Sequence, residues 1–341
     1  MDKKSILITG GCGYIGSHAV IEFLRQTDYN IISVDNFVNS SPDTLDRVEK
    51  ITGVKIKNYK LDLRDYNSIV KIFKETPSII SIVHFAALKS VPESVANPER
   101  YYDNNINSLI NIIRCCKEFN INNFIFSSSC SVYGNVELLP VNELTPLSQV
   151  ESPYAHTKQI GEDIIKQCIK NTNIKAILLR YFNPVGADIT GLNGELANGR
   201  PDNLFPFITQ VAAGILEKLV VFGVDYDTRD GSCVRDYVHV TDIANAHIKA
   251  FQYIENGGMK NSSEIINLGT GRGITVLEAI ATFEKTSGVK LNWNASSRRN
   301  GDVASIYSDC TKAEQLLNWK ALYGIEEMIK TAWKWQQQIK G

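Results

Sequence analysis

The sequence predicts an α/β protein, built on a doubly wound parallel sheet with a smaller mixed α/β lobe toward the C-terminal side. Three observations predict it. Short β-branched runs alternate with helical stretches as far as residue 181, a glycine-rich turn joins the first strand to the first helix, and the elements become shorter and richer in loops after residue 181. Such alternation is typical of parallel strands with helices on both faces of the sheet.

The first half of the chain contains most of the predicted strands. Each is a short apolar run, and amphipathic stretches fill the intervals between them. The predicted strands are residues 5–9, 30–35, 54–61, 79–85, 123–129 and 174–181, and the first helix is predicted over residues 16–26.

The second half opens with a long polar segment, residues 183–203, which is rich in Gly, Asn, Pro and Asp. A loop of that length inside a compact chain is usually functional. Beyond it the predicted helices are residues 204–216, 241–254 and 325–339, and the predicted strands are residues 219–222 and 264–268.

Composition limits the class of partner. The 36 Lys and Arg residues nearly balance the 37 Asp and Glu residues, so no overall field favours nucleic acid or an anionic membrane. The seven cysteines are an odd number without a Cys-x-x-Cys pair, which predicts reduced thiols and a cytoplasmic protein. We expect no secretory leader and no membrane span. The five histidines lack ligand spacing, so we expect no metal site.

The glycine-rich turn predicts a dinucleotide site. Gly10, Gly13 and Gly16 lie between a predicted strand and a predicted helix, where backbone N–H groups and the helix N-terminus can hold a pyrophosphate. Asp35 ends the second predicted strand, at the place where a carboxylate meets the ribose hydroxyls. Because residues 36–39 contain no Arg for a 2′-phosphate, the pattern indicates NAD in a Rossmann-like lobe. The ends of the next two strands should line the same cofactor, which adds Asp62, Leu63, Phe85, Ala86 and Ala87.

A second motif predicts redox chemistry on an alcohol. Pro153 begins a predicted helix in which Tyr154 and Lys158, four residues apart, share one face. An isolated phenol titrates near ~10, but a neighbouring ammonium and a cationic nicotinamide both favour the phenolate. Ser129 stands just upstream, at the carboxyl end of a predicted strand, where ligands bind in open α/β sheets.

These motifs together resemble the extended short-chain dehydrogenase/reductase superfamily, and within it the UDP-glucose 4-epimerase family, over nearly the whole chain. The matching segments are GGCGYIGSH (10–18), VDN (34–36), HFAALK (84–89), YYDNN (101–105), FSSS (126–129), SVYG (131–134), RYFNPVG (180–186), VRDYVHV (234–240) and RNGD (299–302).

The resemblance implies an NAD-dependent epimerase acting on a UDP-hexose, with Ser129, Tyr154 and Lys158 as the catalytic set. It adds to the cofactor site Tyr14, Ile15, Asn36, Asn39, Lys89, Asn104, Lys158 and Tyr181. For the UDP-sugar site it implies Ser129, Cys130, Ser131, Tyr154, Tyr181, Phe182, Asn183, Asp202, Asn203, Leu204, Val220, Val221, Phe222, Arg235, Arg299 and Asp302. Arg side chains suit a diphosphate because they are always charged and donate in a fork.

The resemblance also implies the role of each lobe and an oligomeric state. Residues 1–181 form the NAD-binding lobe, to which residues 235–268 return, and residues 182–234 and 269–341 form the UDP-sugar lobe. A homodimer is expected through the helix near residues 98–119 and the helix that contains Tyr154. Ile306 occupies the position that sets how bulky a C2 substituent the sugar can have, and isoleucine, being of intermediate size, leaves open whether UDP-N-acetylhexosamines are substrates.

Three alternatives remain at this stage. A nucleotide-sugar 4,6-dehydratase would need an acidic pair after the serine strand, where this chain has Cys130 and Ser131. A decarboxylase or another UDP-sugar epimerase, such as a UDP-glucuronate epimerase, lacks specific support. A regulator that senses NAD without chemistry would not need Ser129, Tyr154 and Lys158 together.

Overall fold

The computed structural model describes residues 3–196, 199, 201–299 and 302–340. Asn300 and Gly301 of the RNGD motif lie outside the described residues, as do residues 197, 198 and 200 of the predicted loop 183–203. The same is true of residues 1 and 2 of the predicted NAD-binding lobe and of residue 341 of the predicted UDP-sugar lobe.

The secondary structure follows the predicted alternation. In chain order the strands are β1 (Ser5–Thr9), β2 (Asn30–Val34), β3 (Lys57–Tyr59), β4 (Ile79–His84), β5 (Asn123–Ser129), β6 (Lys175–Tyr181), β7 (Asn183–Val185), β8 (Leu219–Phe222), β9 (Val234–His239), β10 (Ser263–Leu268), β11 (Gly273–Thr275), β12 (Trp293–Ser296) and β13 (Ser305–Ile306). The helices are α1 (Tyr14–Gln26), α2 (Asp43–Thr52), α3 (Tyr66–Glu75), α4 (Val91–Ala96), α5 (Pro98–Glu118), α6 (Pro153–Ile169), α7 (Leu204–Ala212), α8 (Val240–Glu255), α9 (Val276–Ser287), α10 (Thr311–Leu317) and α11 (Ile325–Lys340), and a 3₁₀ turn spans Cys130–Tyr133.

The central layer is a seven-stranded sheet in the order β10-β6-β5-β4-β1-β2-β3, with every neighbouring pair parallel. All five residues of β1 are buried, as expected for a strand with a helix layer on each face. The chain leaves β1 in one direction toward β3 and then returns to β4 on the other side, so the strand order reverses between β1 and β4. In open α/β sheets ligands bind at the carboxyl ends of the strands beside such a reversal.

A smaller lobe lies beyond β6. Its four-stranded sheet has β9 paired with β11, β13 and β7, and a separate pair joins β8 to β12. An apolar cluster that includes Phe205, Phe207, Phe283 and Met328 packs beneath it. The chain also returns to the large sheet, since β10 pairs with β6 and α8 packs against α1. The predicted fold class is therefore confirmed.

Several boundaries differ from the sequence predictions. Strand β3 covers only Lys57–Tyr59 of the predicted 54–61, since it lies at the edge of the sheet with β2 as its neighbour. The predicted loop 183–203 begins with the short strand β7, which pairs with β9. Helix α7 ends at Ala212, earlier than predicted. In the described part of the chain no helix is both long and apolar enough to cross a bilayer.

Candidate active site

A cavity of about 490 Å³ opens at the carboxyl edge of the large sheet, where the strand order reverses. Every residue predicted for the cofactor lines it: Gly10, Gly13, Tyr14, Ile15, Gly16, Asp35, Asn36, Asn39, Asp62, Leu63, Phe85, Ala86, Ala87, Lys89, Asn104, Lys158 and Tyr181. Of the residues predicted for the UDP sugar, the lining contains Ser129, Cys130, Ser131, Tyr154, Tyr181, Phe182, Asn183, Asn203, Arg235, Arg299 and Asp302.

The glycines of the turn are required by close approach. Gly10 has φ +69°, and a Cβ there would lie 2.8 Å from the Ala86 nitrogen. A Cβ on Gly16 would lie 2.1 Å from the Gly10 carbonyl oxygen, so the first turn of α1 packs directly against the loop. The helix N-terminus and the turn therefore face the cavity without side chains between them, as pyrophosphate binding requires.

Asp35 follows β2 and faces the same turn. Its carboxylate accepts hydrogen bonds from the Cys12 N–H (3.0 Å), the Phe37 N–H (2.9 Å) and the Ser40 hydroxyl (2.7 Å). Phe37 has φ +64°, a left-handed conformation that turns the chain back toward the carboxylate. Three donors fix Asp35 at the mouth of the nucleotide end of the cavity.

Lys158 is buried in the floor of the cavity. Ser152 caps α6 by accepting a hydrogen bond from the Ala155 N–H, and Pro153 occupies the first turn, so the helix begins just before Tyr154. The Lys158 ammonium donates to the Ser127 carbonyl at 2.6 Å. Burial lowers the pKa of Lys158 to about 8, so the group keeps its charge at neutral pH.

Tyr154 lies one turn away, with its ring centre 5.9 Å from the Lys158 ammonium. Burial raises the pKa of Tyr154 to about 12, and hydrogen bonding to Ser129 acts in the opposite direction. The expected phenolate is thus not favoured by the protein groups alone. Two charges are expected from the sequence to favour the Tyr154 phenolate, those of the Lys158 ammonium and of the cationic nicotinamide. The nicotinamide has to supply the larger part of the stabilisation of the phenolate.

The 3₁₀ turn after β5 holds Ser129 in place. Ser129 accepts hydrogen bonds from the Ser131 N–H (3.2 Å), and the two hydroxyls are 2.9 Å apart. Burial raises the pKa of the neighbouring Cys130 to about 12. The two side chains that follow Ser129, those of Cys130 and Ser131, are therefore not acids at neutral pH. A dehydratase requires acidic side chains at these positions.

The far end of the cavity is cationic. Arg299 donates to Asp302 at 2.9 Å, and Arg235 lies 3.8 Å from the same carboxylate oxygen. One carboxylate thus holds two guanidinium groups beside each other, in a geometry suited to a diphosphate. The Phe222 ring lies 5.7 Å from the Arg299 guanidinium carbon.

Five residues predicted for the UDP sugar lie outside the cavity lining: Asp202, Leu204, Val220, Val221 and Phe222. Val221 is buried in the apolar cluster of the small lobe because alternate residues of β8 face its core. Asp202 accepts a hydrogen bond from the Ser90 hydroxyl at 2.6 Å. Phe222 is 38% exposed, and its ring lies beside Arg299, which does line the cavity.

The lining also contains residues that sequence reasoning did not single out, notably Gly134, Glu151, Asn193, Leu196 and Val303. In the long loop, Glu195 accepts hydrogen bonds from both Lys89 (2.8 Å) and Asn203 (3.0 Å), which links a predicted cofactor residue to a predicted substrate residue. The only signal in the sequence was the length of the loop.

Comparisons with known proteins match nearly the whole chain. A family model described as GDP-mannose 4,6 dehydratase matches residues 7–332. The UDP-glucose 4-epimerase of Pasteurella multocida is 45% identical over 335 residues, which cover 98% of each protein. The chain belongs to the UDP-glucose 4-epimerase family.

Solved structures agree with that membership. The UDP-glucose 4-epimerase from Bifidobacterium longum, in complex with NAD+ and UDP, is 43% identical with a TM-score of 0.93 over 98% of each chain. The one from Stenotrophomonas maltophila, with bound NAD and formylated UDP-arabinopyranose, is 40% identical with a TM-score of 0.95 over 99% of each chain. The family model is named after a dehydratase, but these full-length relatives, together with Cys130 and Ser131, favour the epimerase over the dehydratase.

Proposed function

We propose that this chain is an NAD-dependent isomerase that interconverts UDP-galactose and UDP-glucose through a transient 4-keto sugar, in the galactose metabolism of the cytoplasm. The observation that carries the proposal is the convergence of Ser129, Tyr154 and Lys158 on one cavity. That cavity has a dinucleotide turn at one end and two arginines at the other.

The residues present fit NAD. The glycine turn leaves backbone and the α1 N-terminus facing the cavity, and Asp35 offers a carboxylate where the ribose hydroxyls would lie. A 2′-phosphate would meet that carboxylate, which favours NAD over NADP. We assign the NAD-binding role to residues 1–181 and the UDP-sugar role to the smaller lobe that follows.

When bound, NAD accepts the hydride from sugar C4 and returns it to the opposite face. Tyr154, as phenolate, takes the proton from O4 as that hydride leaves, and Lys158 stabilises the phenolate through its charge. Ser129 hydrogen-bonds O4 and keeps it within reach of Tyr154. On the return, Tyr154 gives the proton back to O4 of the inverted alcohol.

Inversion requires the keto sugar to turn over while the nucleotide stays in place. Arg235 and Arg299 are placed to hold the diphosphate, and Asp302 fixes their orientation. We infer that the site binds the UDP part of the substrate tightly and the hexose weakly. Binding energy from the part of the substrate that does not react then serves to orient the part that does.

The substrate range of the site depends on Ile306. Its side chain is 5% exposed, lines the cavity and packs with Val132, Tyr133 and Phe182. Isoleucine at this place leaves more room than a large aromatic ring would. Kinetics with UDP-glucose and UDP-N-acetylglucosamine side by side decide how much of that room is used.

We also propose a homodimer through α5 and α6. These helices pack against each other within the chain, and the Tyr102 hydroxyl lies 2.8 Å from Nδ1 of His156 on their exposed side. Light scattering on the purified protein tests this, and a monomer at micromolar concentration would contradict it.

Turnover without added cofactor tests the central proposal. Purified protein is mixed with UDP-galactose, and UDP-glucose is measured by chromatography. Formation of UDP-glucose without external NAD supports an epimerase that retains its cofactor. Loss of water from the sugar, seen as a mass decrease, would indicate a dehydratase, and no change in the sugar despite bound NAD would favour a non-catalytic NAD sensor.

A further inference from the structure

A buried charged network lies directly behind the catalytic helix, and the chemistry described above does not use it. Its centre is Glu162, whose side chain is about 1% exposed, one turn after Lys158 on α6. The Glu162 carboxylate accepts two hydrogen bonds from Arg180 of β6, at 2.8 and 2.6 Å, and one from the Ser128 hydroxyl of β5, at 2.6 Å. One carboxylate therefore joins three elements.

The network reaches the catalytic groups from behind. Ser128 lies between Ser127, whose carbonyl accepts from Lys158, and Ser129. On the other side, the guanidinium of Arg180 lies 4.8 Å from the Tyr133 ring centre, and the Tyr133 hydroxyl donates to Asn267 at 2.7 Å. The 3₁₀ turn that holds Ser129 thus packs on the same buried ion pair.

Burying the Glu162–Arg180 ion pair costs desolvation free energy. Two buried charges lose their hydration, and apolar residues of similar volume often stabilise a fold as well or better. The Arg180 Nη1 is also left without a hydrogen-bond partner among the described residues. Stability alone is therefore a weak explanation for a full negative charge at this position.

The charges around Lys158 suggest what the pair does. His84 on β4 and Tyr154 on the same helix face Lys158. Tyr181 of β6 lies beside Ser127 and Tyr154, the two residues that Lys158 adjoins. Burial lowers the pKa of His84 to about 3 and raises the pKa values of both tyrosines, so these groups are neutral at pH 7. Burial also lowers the pKa of Lys158, and the Glu162 charge opposes that effect.

We propose that Glu162 is a positioning residue for the reaction, and that the Glu162–Arg180 pair sets the charge and place of Lys158 from behind α6. The negative charge, one turn from the ammonium, keeps Lys158 protonated in the dry floor of the site. Arg180 balances that charge and fixes the carboxylate toward the serine strand. The inference rests on the proposed function, because it assigns Glu162 a role in the same proton transfer.

The test is the pH profile of kcat in three variants of the NAD-loaded enzyme. Glu162→Gln keeps the shape and removes the negative charge. Loss of the Lys158 proton then becomes easier, and the alkaline limb of the profile moves about one pH unit lower. Arg180→Met removes the buried counter-charge of Glu162 and leaves only the partly exposed Lys166 ammonium, 3.9 Å away, beside the carboxylate, so the alkaline limb moves to higher pH. In the double variant both charges are gone, and the limb returns toward its wild-type position.

A purely structural role predicts a different pattern. Both single variants would then lower kcat or thermal stability with the limbs unmoved, or moved in the same direction, and either result would overturn the proposal. Ser128→Ala is the matched control because it removes one neutral hydrogen bond to Glu162, and its limb should stay in place. If Glu162→Gln does not fold, Arg180→Met alone decides, since its predicted shift of the alkaline limb has the opposite sign to the shift expected from a general loss of packing around Lys158.

Wild-type turnover is measured first. An inactive wild type overturns the proposed function, whereas an active wild type with unmoved limbs in the variants overturns only the role of Glu162.

Discussion

Removing the Lys158 charge should weaken the base more at neutral pH than at alkaline pH. Tyr154, with its pKa raised by burial to about 12, is far from ionised at pH 7. Each pKa unit above the working pH is worth roughly 1.4 kcal/mol, so the phenolate costs about 7 kcal/mol before any cation acts on it. Two unit charges about 6 Å apart attract by about 3 kcal/mol at an effective dielectric constant near 20. The 5.9 Å separation between the Lys158 ammonium and the Tyr154 ring therefore accounts for somewhat less than half of the cost.

Lys158→Met keeps most of the volume and removes the charge. We expect kcat at pH 7 to fall roughly 100-fold, which corresponds to about 3 kcal/mol. Because loss of a cation raises the pKa of the phenol, the acid limb of the profile should move up by about two units. The deficit should therefore shrink as the pH rises.

The assay is conversion of UDP-galactose over a range from about pH 6 to about pH 10, which extends beyond both expected limbs. The kcat is normalised to bound NAD because Lys158 also lines the predicted cofactor site. Lys166→Met, two turns further along α6, is the matched control. It removes a lysine that lies 3.9 Å from Glu162 but does not line the cavity. A Lys158→Met enzyme with the same fractional loss at every pH, or with no loss, would falsify the electrostatic reasoning.

Three further outcomes are expected. Asp35→Asn should weaken NAD retention roughly tenfold, because one of the two acceptor oxygens that hold the loop becomes a donor, and calorimetric titration of the cofactor-depleted protein measures this. Asp242 is buried, and its pKa rises from an ordinary 3.8 to about 6, so the native state disfavours the ionised form and stability is lost as the pH rises through that window. Between about pH 4.5 and about pH 7 this loss amounts to roughly 2 kcal/mol, because part of it has already occurred at the lower pH. Asp242→Asn should abolish the loss in thermal unfolding at those two pH values, and an unchanged pH dependence would contradict the prediction. Ile306→Tyr should reduce turnover of any UDP-N-acetylhexosamine by roughly tenfold or more relative to UDP-glucose, since the ring fills space beside the sugar, and equal losses on both substrates would refute this role.

The sequence predicted the large sheet well because its strands carry a strong local signal. A parallel strand covered on both faces reads as a continuous apolar run, and β1 and β5 were predicted with the bounds that the structure shows. Strand β3 was predicted too long because a three-residue edge strand has only one neighbour, and flanking Val and Ile residues resemble it in sequence. Strand β7 was missed because its pairing with β9 joins residues more than fifty positions apart, which no local window contains.

The site residues likewise divide into those that a local sequence motif identifies and those that only the fold identifies. Motif residues such as Gly10, Asp35 and Tyr154 are recognisable because the chemistry restricts them to a few spacings. Glu195 and Glu162 carry no such mark. A glutamate at either position reads as an ordinary polar residue until the fold places Lys89 and Asn203, or Arg180 and Ser128, around its carboxylate.

The two glutamates show how the fold supports a reaction in which the cofactor stays and the sugar moves. Glu162 acts below the catalytic floor, where a rigid buried ion pair joins β5, β6 and α6 and keeps the proton-transfer groups at fixed positions. Glu195 acts above it, in the long loop, where its backbone carbonyl accepts from Trp335 of α11 while its carboxylate holds Lys89 and Asn203. Rigidity is thus concentrated around Tyr154, Ser129 and the nucleotide ends. The cavity between them is lined by small or uncharged side chains such as Cys130, Ser131 and Ile306. Under the proposed function, these three side chains offer no charge that would hold the hexose in one orientation, so the sugar is free to turn over.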